Sequence, residues 1–60
     1  MMSIKDMRTE KGLTLKELGE LTGIKYQLLH RYEKGETKIT LERYLFLAKS
    51  MGYEVTTKKV

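Results

Sequence analysis

The sequence predicts an all-α domain of four short helices, over residues 3–11, 15–22, 25–34 and 41–51, followed by a β-strand over 53–60. Three observations carry this expectation. Gly12, Gly23, Gly35 and Gly52 each follow an apolar-periodic stretch, where a helix ends on a residue able to turn left-handed. Ser3 with Asp6, and Thr14 with Glu17, have the spacing of capping boxes, in which hydroxyl and carboxylate satisfy orphan backbone donors reciprocally. After Gly52 the chain changes character: Tyr53-Glu54-Val55-Thr56-Thr57-Lys58-Lys59-Val60 is rich in β-branched and aromatic residues and lacks helix punctuation. Sixty residues make one small domain spanning 1–60. A chain of that size buries only about 60% of the surface its unfolded form exposes, so its core is thin.

Each element has its own justification. The first helix starts at Ser3 and stops before Gly12. The second is capped by Thr14, carries apolar positions at Leu15, Leu18 and Leu21, and stops at Gly23. Lys25 opens the third helix where Ser or Thr would normally cap it, a loss worth about 0.5–2 kcal/mol. Either a phosphate beside the cation compensates, or capping passes to water and backbone. Leu28, Leu29 and Tyr32 fall within one arc of that helix, its expected packing face. Thr40 caps the fourth helix and Glu42 in its first turn suits the dipole; Leu41, Tyr44, Leu45, Ala48 and Met51 form its core stripe. The strand would present Tyr53, Val55 and Thr57 on one face. A lone strand is unstable in water, so its simplest partner is the same strand of a second copy, in an antiparallel ribbon. The alternative is a frayed terminus.

Composition narrows the chemistry. The absence of cysteine removes disulfides and thiolate metal sites, and one histidine cannot build a metal or catalytic cluster. No paired carboxylates, nucleophile–base set or phosphate-cradling loop stands out, so neither an enzyme nor a cofactor is expected. Apolar runs fall far short of the ~20 residues of a membrane span, and no signal peptide opens the chain. These features point to a cytoplasmic protein. Twelve Lys and Arg against eight Asp and Glu leave a net charge of +4, which suits a polyanionic partner.

Residues 14–35 therefore read as a helix-turn-helix, two short helices around a tight turn at Gly23. Opposite the packing face of the second of these helices stand Tyr26, Gln27, His30, Arg31 and Lys34. Gln pairs bidentately with adenine and Arg with guanine, while Tyr meets a thymine methyl or a phosphate. His30 and Lys34 sit where phosphate contact is expected, as do Lys25, Lys16 and Lys38. An ordinary solvated helix face would also be polar. Glu33 would repel DNA if it pointed outward, so an ion pair with Arg8 is expected; breaking such a pair when buried costs about 3–5 kcal/mol.

Residues 4–53, more than four fifths of the chain, resemble the Cro and phage-repressor type of helix-turn-helix, the XRE family, whose fold is lambda-repressor-like. The resemblance is carried by Ile4, Arg8, Gly12-Leu13-Thr14, Glu17-Leu18, Gly23-Ile24, Leu29, Glu33-Lys34-Gly35, and Leu41 through Ala48 to Met51-Gly52. It implies a helical domain that binds double-stranded operator DNA, usually as a dimer, to repress transcription. It also implies that Lys25, Tyr26, Gln27 and Arg31 approach bases or adjacent phosphates, and that Arg8 pairs with Glu33. Several positions depart from the family. Leu15 replaces a glutamine that touches the DNA backbone, Gly19 an alanine, and Leu28 a small hydroxyl residue; Lys38-Ile39-Thr40 lacks a proline. Phe46 stands where a polar residue is usual, and beside the strand it suggests a self-association surface, the alternative being local packing under the strand of its own chain. The strand after Met-Gly-Tyr is similar to that of antitoxin members of the family, which dimerise through such ribbons. The expected function is a homodimeric repressor of a pseudo-palindromic operator, its reading helices about 34 Å apart. An antitoxin with a toxin partner, or a protein-interaction module, is the alternative.

Overall fold

A computed structural model describes residues 2–54. Among them are four helices, α1 (Ile4–Glu10), α2 (Leu15–Thr22), α3 (Tyr26–Lys34) and α4 (Leu41–Ser50). The expected spans were longer by the capping residues Ser3, Lys11, Lys25 and Met51, which sit half in the helix.

The helix ends follow from local hydrogen bonds. Thr14 and Glu17 form the full capping box at 3.0 and 2.8 Å, and the Thr14 N–H holds the Glu17 carboxyl below the usual carboxylate range. The Ser3 box is only half built. Ser3 Oγ accepts from the Asp6 N–H at 3.0 Å, but among the described residues no bond returns from the Asp6 carboxylate. Asp is one methylene shorter than the Glu that completes such a box. Three helices close alike: Leu13 N–H donates to Arg8 O, Glu36 N–H to Arg31 O and Tyr53 N–H to Ala48 O, each with a left-handed glycine between. At the end of α2, Gly23 alone donates to Gly19 O at 2.8 Å with φ +77. This shorter cap lets the chain turn at once into α3.

The last of these caps corrects the expected strand. Tyr53 and Glu54 are not in a strand, because the Tyr53 N–H is committed to α4. Its ring packs against the core of its own chain, its hydroxyl donates to the Glu10 carboxylate, and Lys11 Nζ stands 4.8 Å from the ring centroid. Tyr53, expected at a dimer interface, is thus used within the chain. Residues 55–60, with Val55 and Thr57 and the rest of the proposed ribbon, lie outside the described residues.

The core draws on every helix: Ile4 and Met7, Leu18, Leu29, and Tyr44, Leu47, Ala48 and Met51. Met7, Leu18, Leu29 and Leu47 are essentially sealed from solvent, each contributing about 1.5–3 kcal/mol of burial. Three expected core positions differ. Leu21 and Leu41 are 55% and 56% exposed, and Leu28 is half-buried but not packed on the core. In α4 the buried positions are spaced three, four and seven apart from Tyr44, which makes Leu47 the centre of the stripe and leaves Leu41 beyond its end. Tyr44 also donates through its hydroxyl to the Met2 carbonyl at 2.5 Å, tying the N-terminal segment to α4.

α2 and α3 cross where the chain has Gly19. A Cβ there would lie 2.8 Å from the Ile24 carbonyl oxygen, closer than backbone permits. Glycine inside a helix costs roughly 1 kcal/mol against alanine, and the close crossing is what that cost secures.

Candidate nucleic-acid interface

The direction of α3 is set by its buried side. Leu29 has no exposed surface, and at about 100° per residue Gln27 and Arg31 point nearly opposite to it. Gln27, His30, Arg31 and Lys34 are exposed, and Tyr26 is 50% exposed. These five side chains share one helix of nine residues, so their spacing is rigid.

The C-terminal half of α3 is tied to α1. Arg8 Nε donates to Glu33 Oε2 at 2.7 Å and Nη2 to Oε1 at 3.1 Å, a bidentate pair. Its third donor, Nη1, reaches the Leu13 carbonyl at 2.8 Å. Both side chains are largely buried, and the hydrogen bond to Glu33 raises the Arg8 pKa further. The pair turns Glu33 into the molecule, which keeps its charge off the outward face of α3.

The N-terminal end is different. Lys25 is exposed at the N-cap and makes no side-chain capping bond. The first N–H groups of α3 therefore have no side-chain acceptor there, at the positive end of the helix dipole. Lys16 is exposed on α2 and Lys38 on the connection before α4. Lys34 Nζ lies 3.8 Å from Glu36 Oε2, with both side chains more than half exposed. Glu36 was not singled out from the sequence; the signal was its position two residues beyond Lys34, across the Gly35 turn.

Phe46 is 48% exposed and borders a groove with Thr22, Ile24, Thr40, Glu42 and Arg43. Among the described residues no cluster of His, Asp or Glu has the arrangement of a metal site, and no helix is long and apolar enough to cross a membrane.

The helix-turn-helix family model matches residues 4–57. The chain is also 44% identical over 39 residues to a protein of Pyrococcus abyssi (strain GE5 / Orsay) whose name places it among HTH-type transcriptional regulatory proteins. That match covers 65% of this chain and 12% of the relative, so this chain spans only a small part of the relative's length. No solved structure matches. The family match extends over nearly the whole chain, which therefore belongs to the XRE-type helix-turn-helix family.

Proposed function

We propose that this member of the helix-turn-helix family is a sequence-specific DNA-binding regulator of transcription, acting as a homodimeric repressor on a pseudo-palindromic operator. The observation that carries the reading is α3 itself. One side is locked into the domain by Leu29 and the Arg8–Glu33 pair, and the other offers Tyr26, Gln27, His30, Arg31 and Lys34 to solvent.

In this reading α3 lies in the major groove. Gln27 meets an adenine edge, Arg31 a guanine edge, and Tyr26 a thymine methyl or a phosphate. Lys25 and the uncapped first turn of α3 take a backbone phosphate, supported by His30, Lys34, Lys16 and Lys38. Two copies meet through the groove at Phe46, whose rim carries a carboxylate, Glu42, and a guanidinium, Arg43, of opposite charge for pairing across a two-fold axis.

Selection of bound duplexes from a random pool at moderate salt tests the reading. A two-fold motif with half-sites one helical turn apart is the expected result. No enrichment, with binding that vanishes as salt rises, would leave only nonspecific charge and sink it. Phe46→Glu should give monomers in analytical ultracentrifugation; a dimer of unchanged mass would remove that interface.

A further inference from the structure

We infer that Leu28 is a base-reading residue whose side chain takes the 5-methyl group of a thymine, on the reading that α3 lies in the major groove. The sequence pattern places Leu28 with Leu29 and Tyr32 on the packing face of α3. The fold does not use it so. Leu29 and Tyr32 join the core or pack against it, whereas Leu28 is half-buried and does neither.

The geometry gives the reason. Leu28 is displaced about 100° around the helix from Leu29, and Arg31, three residues on, is only about 60° from Leu28. Leu28 therefore stands on the flank of the outward arc, between the inward direction and Arg31. It is also the third residue of α3, in the first turn. The N-terminal residues of a reading helix are those that reach base edges.

Chemistry then selects the target. Leucine carries neither donor nor acceptor, so it cannot hold a phosphate or read a hydrogen-bonding edge. The apolar feature that a base pair presents in the major groove is the thymine methyl. Beside Gln27 and Arg31, which read hydrogen-bonding edges, Leu28 adds the complementary apolar contact and makes the site prefer thymine at one adjoining step.

Replacing each operator thymine in turn by deoxyuridine removes the methyl and leaves the base pairing intact. For the unmodified protein one position per half-site should lose about fourfold in affinity, the weight of a single buried methyl. Leu28→Ala should abolish that loss at the same position, and Leu28→Met, which keeps an apolar reach, should retain it. A methyl effect mediated by Tyr26 maps to another position and survives in Leu28→Ala. The inference is overturned if Leu28→Ala shows the same methyl losses everywhere, or if no thymine shows one. It is equally overturned if Leu28→Ala is unfolded by circular dichroism, since Leu28 would then belong to the core. An unmodified protein that selects no sequence defeats the DNA-binding reading itself. One that selects a sequence but ignores Leu28 defeats this inference alone.

Discussion

At its C-terminal end α3 is tied into the domain. Glu33 takes two hydrogen bonds from Arg8, and beyond Gly35 the Glu36 N–H closes on the Arg31 carbonyl. At its N-terminal end Lys25 gives no side-chain cap, and Tyr26 and Gln27 stand in solvent. The same helix thus has one end tied into the fold by an ion pair and a glycine cap, and one whose first N–H groups have no side-chain acceptor. The closed end contributes stability, while the open end and the outward arc, Arg31 and Lys34 included, carry the binding proposed for α3, so substitutions at the two should separate stability from affinity.

The largest effect is expected from the closed end. Glu33→Ala leaves the largely buried Arg8 guanidinium without its carboxylate, which should lower stability by about 3–5 kcal/mol. In a domain this small that approaches the whole margin of about 5 kcal/mol. A urea midpoint shifted by less than about 1 kcal/mol in equivalent stability would show that α3 does not depend on the pair.

Next comes the outward face, where the loss should appear in binding and not in stability. Arg31→Ala should weaken one operator position by about 1–3 kcal/mol, while Lys34→Ala weakens all sequences alike and reduces the salt slope by about 1. Equal losses on specific and random duplexes for Arg31→Ala would deny it a base.

The open end gives a smaller effect of opposite sign. Lys25→Ser restores a capping side chain and should raise stability by about 1 kcal/mol, while removing a cation and so lowering affinity for DNA. Affinity that rises together with stability would contradict the role given to Lys25.

The smallest effect concerns Tyr53, whose hydroxyl donates to Glu10 and whose pKa is thereby pushed up to about 12. The folded state holds this proton more tightly than the unfolded chain. Its stabilising contribution is therefore whole below the unfolded value of 10.0 and is lost as pH rises through about 12. The gap in melting temperature between the unmodified protein and Tyr53→Phe should close over that interval. A constant gap would mean that the hydrogen bond to Glu10 is not its source.

The sequence by itself determined the four helices and their limits to within one capping residue. Caps such as Thr14–Glu17, and the left-handed glycines at 12, 23, 35 and 52, act over three to five residues, and such short-range hydrogen bonds are written in local spacing. The residues on the outward arc of α3 are legible for the same reason, since one buried leucine orients a rigid helix. The DNA contacts proposed for them are made between molecules and are not decided by the fold of the chain. Tertiary structure alone decided which apolar residues are used. Leu47 is sealed while Leu21, Leu28 and Leu41 are left out, because burial depends on how helices cross and where they end. It alone turned Tyr53 back onto Glu10 and Lys11, where composition indicated a strand. A strand propensity is worth under about 1 kcal/mol per residue, and a ring with a hydrogen bond, a cation and a core to rest on outweighs it.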